Sequence, residues 1–163
     1  MKVPKPLLRA LASDGPLLLA SHIDPDGDAI GSVLGLGLGL RSVGKTVRMF
    51  SKDAVPSYFK FMPGSRFIRS DLAPILKQDP VLIPLDCNTM ERAGIKGCVF
   101  RRSLVIDHHE SGSRFGTVRW VLPPAASAGL MVYHLLKEMG IPITAQIATN
   151  LYASIAVDTG TFR

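Results

Sequence analysis

The chain has 163 residues, of which 47% are hydrophobic, and a formal net charge of +6. This length provides one domain with a substantial core and is too short for two. No apolar run reaches the ~18 residues that a membrane span requires, so a membrane protein is excluded. Cys87 and Cys98 lack metal-binding spacing, which excludes a cysteine-based zinc site. With few thiols and no signal-peptide core, the chain is predicted to be a reduced, cytoplasmic protein.

Short apolar runs alternate with longer helical patterns along the chain. Strands are predicted at residues 16–21, 46–50, 81–85 and 103–106, with an edge strand at 116–122. Helices are predicted at about 29–43, 127–139 and 145–157, and loop with short helix at 51–79. Nearly all-apolar strands separated by helices are typical of a covered parallel sheet. The predicted fold class is therefore α/β, with a mostly parallel sheet and helices on both faces.

A phosphate-binding P-loop pattern occurs between Gly39 and Thr46 but lies in the wrong structural context. A P-loop needs a strand before it and a helix after it, so that the helix N-terminus points at phosphate. Here a helix precedes the motif and a strand follows it. Gly44 is then predicted to end the helix, and Gly35, Gly37 and Gly39 to pack the helix closely against the sheet.

The loop after the first predicted strand contains a histidine and three alternating carboxylates, His22-Ile-Asp24-Pro-Asp26-Gly-Asp28. Such a concentration of negative charge is unfavourable unless a cation or solvent screens it. An EF-hand calcium loop would require glycine at the sixth position and glutamate at the twelfth. Counted from Asp24, those positions hold Ala29 and Gly35, which excludes an EF-hand. A metal-binding loop and a solvated acidic turn both stay open at this point.

Further acids and histidines follow other predicted strands and helices. Asp107-His108-His109 follows a buried strand, where adjacent side chains point to opposite sides, so one histidine can face a metal and the other a substrate. Asp86 ends the strand at 81–85, and Asp158 lies near the end of the last helix. The carboxyl ends of parallel strands meet at one edge of a sheet, where functional residues gather. Each residue alone would more often be a turn or capping residue; together they predict a site.

Four ordered motifs of this chain resemble those of the DHH phosphoesterase family: His22 with Asp26 and Asp28, then Asp86, then Asp107-His108-His109, then Asp158-Thr-Gly160. The resemblance extends from Leu17 to Arg163. The Asp-Gly-Asp form of the first motif, followed by Gly31-Ser32, is similar to the branch of oligoribonucleases and adenosine bisphosphate phosphatases. The resemblance implies a phosphoesterase that uses two metal ions.

The resemblance also implies which residues bind metal. One divalent cation would be held by His22, Asp26, Asp86 and Asp158. The second would be held by Asp28, Asp86, His108 and Asp158. Carboxylate and imidazole ligands suit Mn²⁺, with Mg²⁺, Fe²⁺ or Co²⁺ as alternatives. The implied catalytic residues are His109, which would contact the scissile phosphate or leaving group, and Asp107, which would support a histidine.

The expected substrates are short oligonucleotides and 3′-phosphorylated nucleotides such as adenosine 3′,5′-bisphosphate. A cyclic-dinucleotide phosphodiesterase, an inorganic pyrophosphatase and a non-catalytic metal-binding module remain as alternatives. Family members usually carry a second, C-terminal domain that binds the nucleotide. Residues 1–163 are therefore expected to be the DHH metal-binding domain alone, truncated before that domain and weakly active. No membrane partner is expected, and a homodimer stays open.

Four further residues are expected to lie outside the metal site. Arg92 is expected to give structural support, since it occupies a position where the family often has an arginine. Asp24 and Glu110 are expected to face solvent, and His134 to be a partly buried residue on a helix.

Overall fold

The structure is a computed structural model and describes residues 1–162. Its strands are β1 (Leu17–Ala20), β2 (Val47–Phe50), β3 (Ile68–Arg69), β4 (Val81–Pro84), β5 (Leu104–Asp107) and β6 (Val118–Val121). Its helices are α1 (Lys5–Ala12), α2 (Gly27–Ser42), α3 (Ala73–Leu76), α4 (Ala128–Glu138) and α5 (Ala145–Asp158). Two single-turn 3-10 helices, Ser57–Phe59 and Ser65–Phe67, lie between β2 and β3.

All pairings between these strands are parallel. One ladder has the order β3-β2-β1-β4, and β5 pairs with β6. Isolated bridges from Leu82 to Ser103 and from Leu85 to Ile106 join the two groups, so the strands run in the order 3-2-1-4-5-6. The chain reverses its direction of strand addition between β1 and β4. In open α/β sheets, such a switch point leaves a crevice at the carboxyl ends of the strands.

The strands carry apolar side chains toward both faces because successive residues point in opposite directions. Leu17 and Leu19 pack into the larger core with helices α1, α2, α4 and α5, whereas Leu18 and Ala20 pack into the smaller core. The smaller core is covered by Ile75 of α3 and by irregular chain after β4. The predicted α/β fold is confirmed, and its long helices share one face of the sheet.

Helix α2 is central and almost entirely buried. Four of its glycines, Gly27, Gly31, Gly35 and Gly39, recur every fourth residue, and those at 31, 35 and 39 allow close approach of the neighbouring helices. A Cβ atom at Gly31 would lie 2.5 Å from the backbone oxygen of Asn150, and one at Gly39 would contact Leu136. A Cβ atom at Gly37 would instead meet Met49 of the sheet. The expectation that these glycines pack against the sheet is therefore right for Gly37, whereas Gly35 and Gly39 face helices.

The predicted elements match the observed ones except at the N-terminus and at β3, which lies in the segment 51–79 that was predicted as loop with short helix. Helix α1 was not expected; Leu7 and Leu11, one turn apart, bury its apolar side. The P-loop pattern is not a phosphate loop, because Gly39 lies in α2 and the chain enters β2 at Val47. Gly44 has a φ of 80° and follows the end of α2, as expected for a terminating glycine. The Lys45 ammonium donates instead to the carbonyl oxygens of Ala12 and Ser13, at 2.7 and 3.1 Å.

Candidate metal centre

The register of the sheet brings the ends of three strands to one level. Ala20 lies opposite Phe50 on one side and Pro84 on the other. The residues that follow β1 and β4 therefore emerge at the same edge, His22 after β1 and Asp86 after β4. The run from Asp107 to His109 emerges beside them at the end of β5, which is bridged to Leu85.

Asp86 occupies a backbone conformation that few residues adopt. Its φ is 53°, in the left-handed region, where aspartate and asparagine are tolerated better than most residues. Its side chain is buried, and its Oδ1 atom has no hydrogen-bond partner of good geometry within the described chain. His108 Nε2 and His109 Nδ1 lie 3.4 Å from this atom. Unusual backbone geometry and an unsatisfied buried carboxylate oxygen are both frequent at functional sites.

The first set consists of His22, Asp26 and Asp86, whose ligand atoms lie within 4.8 Å of one another. His22 Nε2 is 3.5 Å from Asp86 Oδ2 and 3.8 Å from Asp26 Oδ1. Asp26 caps helix α2 by accepting a hydrogen bond from the amide of Ala29 at 3.0 Å. The N-terminus of α2 therefore fixes this carboxylate and favours its negative charge.

The second set consists of Asp28, His108 and Asp158, again with ligand atoms within 4.8 Å. His108 Nε2 lies 3.0 Å from Asp158 Oδ2, 3.5 Å from Asp28 Oδ2 and 3.4 Å from Asp86 Oδ1. Asp86 and His108 form a further group with His109, so the two sets adjoin. The six residues predicted as metal ligands are thus brought together, with Asp158 grouped in the second set.

Both histidines of these sets present the same ring nitrogen to the carboxylates. His22 Nδ1 lies 2.7 Å from the carbonyl oxygen of Ile23, and His108 Nδ1 lies 3.1 Å from that of Ala125. A carbonyl only accepts, so each Nδ1 carries the proton and donates it. Each neutral ring would then direct the lone pair of Nε2 toward the carboxylates. Metal-binding histidines commonly show this second hydrogen bond, which fixes the ring.

The carboxylate of Asp28 is completely buried and held by three donors. It accepts hydrogen bonds from the backbone amides of Ala128 and Gly129, at 2.7 and 3.0 Å, in the first turn of α4. It also accepts from the Ser154 hydroxyl at 2.5 Å. Ser154 and these two amides were not predicted as part of the site. The N-cap pattern at Ser127 predicted the start of α4, but no local signal linked that helix to Asp28.

Asp158 lies at the last residue of α5, where the helix dipole disfavours a negative charge. Its side chain is 22% exposed. The cationic form of His108 or a bound cation would offset this unfavourable placement. A carboxylate kept at a helix C-terminus, beside the carboxylate of Asp28 and the ring of His108, fits a cation-binding role.

Asp107 organises the turn that holds the two adjacent histidines. Its Oδ1 atom accepts hydrogen bonds from the amides of His108 and His109, at 2.9 and 3.3 Å. The same atom lies 2.8 Å from His109 Nδ1. This contact fixes the ring of His109 and leaves its Nε2 atom for another partner. Asp107 is buried, whereas the His109 side chain is 34% exposed and therefore accessible to a substrate.

Protons bind strongly to the centre when no metal is present. Burial lowers the pKa of His22, but the carboxylates of Asp26 and Asp86 outweigh burial and raise it to about 10. The carboxylates of Asp158 and Asp86 raise the pKa of His108 to about 11. Burial and the charge of Asp86 raise the pKa of Asp28 to about 7. A cation that binds here must displace these protons.

Residues expected to lie outside the site do so. Asp24 and Glu110 are exposed, and His134 is partly buried on α4. Burial lowers the pKa of His134. The carbonyl of Arg92 accepts a hydrogen bond from the amide of Ile23 at 2.6 Å, which ties the chain after β4 to the His22 loop.

Two observations bear on the class of protein. Neither Cys87 nor Cys98 is in a disulfide bond. None of the helices within residues 1–162 has the length and apolar character needed to cross a membrane.

The fold and the carboxylate–histidine centre define the class of protein, and comparison with known families agrees. The family model described as DHH family, N-terminal domain, matches residues 16–155. The chain therefore belongs to the DHH family.

Its relatives include the bifunctional oligoribonuclease and PAP phosphatase NrnA of Thermus thermophilus, which is 36% identical over 100% of this chain and 48% of the relative. The chain spans about half the length of the curated relatives it matches.

Solved structures share the fold. An exopolyphosphatase-related protein from Bacteroides fragilis superposes with a TM-score of 0.86 and 30% identity, over 99% of this chain and 53% of that one. RecJ from Thermus thermophilus, in complex with Mn²⁺, gives a TM-score of 0.52 and 19% identity, over 96% and 24% of the two chains. The likeness to RecJ is one of fold alone.

Proposed function

We propose that this domain binds two divalent cations and hydrolyses phosphate esters of nucleotides and short oligonucleotides. The observation that carries the proposal is the position of Asp86, whose carboxylate lies 3.5 Å from His22 Nε2 and 3.4 Å from His108 Nε2. It therefore adjoins both sets of ligand atoms, as a residue shared by two cations must. The relative named as a bifunctional oligoribonuclease and PAP phosphatase supports the substrate class.

The residues fit a pair of divalent cations. Four aspartates and two histidines supply oxygen and nitrogen donors of the kind that suit Mn²⁺, with Mg²⁺, Fe²⁺ and Co²⁺ as alternatives. The aspartates bring four negative charges, which two dications neutralise. An anionic phosphate can then approach the centre without net repulsion. A bound cation would give the unpartnered Oδ1 atom of Asp86 a partner.

Each side chain has a role in the proposed reaction. When bound, the cations supply Lewis acidity and lower the pKa of water. His22, Asp26 and Asp86 form the first cation site, and Asp28, His108 and Asp158 form the second, with Asp86 adjoining it. His109 Nε2 donates a hydrogen bond to the phosphate or a proton to the leaving oxygen. Asp107 holds His109 in the orientation that this transfer needs, through its contact with Nδ1.

A matched pair of aspartates gives the test of this proposal. Asp86 and Asp24 have nearly the same backbone conformation, with φ values of 53° and 52°. Asparagine is tolerated in this left-handed region, so Asp86→Asn and Asp24→Asn each remove one charge without adding backbone strain. We expect the wild type and Asp24→Asn to bind two Mn²⁺ per chain. We expect Asp86→Asn to bind Mn²⁺ weakly and to lose about a thousandfold in hydrolysis.

The substrate panel should contain a short oligonucleotide, adenosine 3′,5′-bisphosphate, a cyclic dinucleotide and inorganic pyrophosphate. Hydrolysis of the first two in Mn²⁺ agrees with the proposal, whereas preference for pyrophosphate or the cyclic dinucleotide would assign the chain to one of the alternatives. Tight binding of two Mn²⁺ without turnover of any substrate would make the domain a metal-binding module. Equal loss of metal in both variants would remove the special role of Asp86.

A further inference from the structure

A basic cavity of about 500 Å³ lies at the carboxyl ends of β2 and β3. None of the six predicted metal ligands lines this cavity. The side chains that matter for its chemistry are Ser51, Asp53, Lys60, Ser65, Arg66 and Arg69. Three of these side chains are cations, and the other three, two serines and one aspartate, can form hydrogen bonds.

The cations of the basic cavity are exposed and available. Lys60, Arg66 and Arg69 are exposed. Within residues 1–162, none of them has a carboxylate within 4.0 Å. The carboxylate of Asp53, the acid of this lining, already accepts a hydrogen bond from the amide of Asp24 at 2.7 Å. The cavity therefore has unneutralised positive charge, which attracts anions.

A buried hydroxyl provides a second, independent observation. Ser51 lines the cavity and is 0% exposed, and its Oγ atom has no hydrogen-bond partner among the described residues. An unpartnered buried polar group is costly and rare in native proteins. A ligand oxygen in the cavity would satisfy this hydroxyl.

The position of the cavity relates it to the metal centre. Ser51 directly follows β2, which pairs in register with β1, and His22 lies two residues beyond the end of β1. Neighbouring strands are about 4.8 Å apart. The amide of Ser21 donates to the carbonyl of Phe50 at 3.1 Å, so the two strand ends are in direct contact. A phosphate in the cavity would thus lie near a phosphate at the metal centre.

Exposed aromatic side chains accompany the cations. Tyr58 and Phe61, on either side of Phe59 and Lys60 in the sequence, are 68% and 70% exposed. Exposed aromatics beside cations are typical of surfaces that bind single-stranded nucleic acids, because bases stack on the rings while cations contact the phosphates. Phe59 packs this segment against the N-terminus of α2. Its ring lies 3.1 Å from the place where a Cβ atom on Gly27 would be.

We propose that the basic cavity binds a second backbone phosphate of a short single-stranded oligonucleotide whose scissile ester lies at the metal centre. The inference rests on the proposed function and deepens it: the preferred substrate has at least two phosphates linked through nucleosides. Lys60, Arg66 and Arg69 contact the second phosphate, and Ser51 donates a hydrogen bond to it. Tyr58 and Phe61 offer stacking surfaces for the bases.

The test compares two double variants with the same change in net charge. Arg66→Glu/Arg69→Glu reverses two cavity cations. The control, Arg102→Glu/Lys137→Glu, reverses two exposed cations at other places: Arg102 at the start of β5 and Lys137 near the C-terminus of α4. The probe is a fluorescein-labelled pentanucleotide with phosphorothioate linkages, which resist hydrolysis. Binding is measured by fluorescence anisotropy at several salt concentrations.

The cavity variant should bind the pentanucleotide about tenfold or more weakly than the wild type, and the control within about twofold. The slope of log Kd against log salt should become shallower by about 0.7 in the cavity variant, because the contact with one phosphate is lost. Equal weakening in both double variants would attribute binding to net charge and overturn the proposal. The single variant Lys60→Glu should lose less affinity for the pentanucleotide. It provides a second test in case the double variant misfolds.

Hydrolysis of bis(p-nitrophenyl) phosphate separates this inference from the proposed function. This substrate has one phosphate and cannot reach the cavity, so its Mn²⁺-dependent turnover should be unchanged in the cavity variant. If the wild type cleaves neither this substrate nor the short oligonucleotide in Mn²⁺, the proposed function fails, and the binding comparison still decides the cavity proposal. If inorganic phosphate competes with the pentanucleotide equally well, mole for mole, the cavity is a site for free phosphate and the oligonucleotide proposal is wrong.

Discussion

The two ligand sets of the metal centre are built in different ways. In the first set, His22 and Asp86 lie on turns after strands β1 and β4, and Asp26, whose side chain is 48% exposed, is the N-cap residue of α2. In the second set, Asp28 and Asp158 lie on helices α2 and α5, and His108 follows β5. Asp28 is completely buried against the N-terminus of α4.

This difference means that the two sets depend on different parts of the fold. The register of the parallel sheet positions His22 and Asp86 of the first set, because in-register strands end at the same level, and Asp26 is held at the N-cap of α2. The packing of α2 against α4 and α5 positions the second set, because these helices carry Asp28, its hydrogen-bond donors and Asp158. A change in helix packing should therefore damage the second set before the first.

The largest effect is expected for Gly31→Ala. A Cβ atom at this position would lie 2.5 Å from the Asn150 carbonyl oxygen and 2.8 Å from Ser154 Cβ, so helices α2 and α5 must separate. We expect a net loss of about 3 kcal/mol in the free energy of unfolding. We also expect binding of one Mn²⁺ to be lost and the other to be retained, as measured by calorimetric titration.

Gly37→Ala is the control for that substitution. Its added Cβ atom would meet the flexible side chain of Met49, at 2.5 Å from the sulfur, which can move aside. The gain of about 1 kcal/mol in helix propensity offsets much of the remaining cost. Chemical denaturation should show a small change in stability and metal titration two bound ions. Similar losses in both variants would show that the sets do not differ in their dependence on helix packing.

A smaller effect is expected for Ser154→Ala. The Ser154 hydroxyl donates to Asp28 Oδ1 and contributes about 1.5–3 kcal/mol to stability, as is usual for hydrogen bonds to charged groups. Loss of such a supporting contact typically weakens metal affinity by about 10–100-fold. The weaker of two Mn²⁺ dissociation constants should rise accordingly. Ser42→Ala, which removes a hydroxyl bonded within its own helix, should leave both constants unchanged.

The smallest effect concerns the pH dependence of stability without metal. The folded pKa values of His22 and His108, about 10 and about 11, lie above the value of 6.5 for an unperturbed histidine. Their stabilising contribution is therefore complete below pH ~6.5 and is lost as pH rises toward the folded values. In EDTA, the free energy of unfolding should fall steadily between about pH 7 and pH 9, because the folded chain keeps protons that the unfolded chain has already released.

Metal should reverse this trend, because Mn²⁺ competes with the same protons and binds more tightly as pH rises. Thermal melting in EDTA and in Mn²⁺, across the same pH range, provides the measurement. In EDTA, His108→Asn should lose part of the slope and keep the part that belongs to His22. A flat profile for the wild type in EDTA would mean that the metal-free centre does not hold these protons.

Much of the fold was predictable because its signals are local. Strands such as Val81–Pro84 are continuous apolar runs, and Gly44 marks the end of α2. Helix α1 was not predicted because it is short, only eight residues, and shows its apolar spacing in two leucines alone. The spacing of Leu7 and Leu11 one turn apart, after Pro6, was the available signal.

The site was predictable where its residues follow strands, as Asp86 and the Asp107-His108-His109 run do. The hydrogen bonds that hold Asp28 were not predictable, since the amides of α4 and Ser154 are 100 to 126 positions away from it in the sequence. No local pattern links residues so distant, and only tertiary packing brings them together. The assignment of the six residues as metal ligands, the domain boundaries and the cytoplasmic location stay predictions.

The span of the hydrogen bonds to Asp28 has a consequence for how the protein is made. A ribosome releases the Asp28 loop long before α4 and α5, whose residues complete the second set. Contacts of such long sequence separation form late in folding. During synthesis the aspartates near the N-terminus are therefore present without their partners, and a nascent chain offers a cation only a loose cluster of acids. The two ligand sets can reach their final arrangement only after α5 has packed on α2.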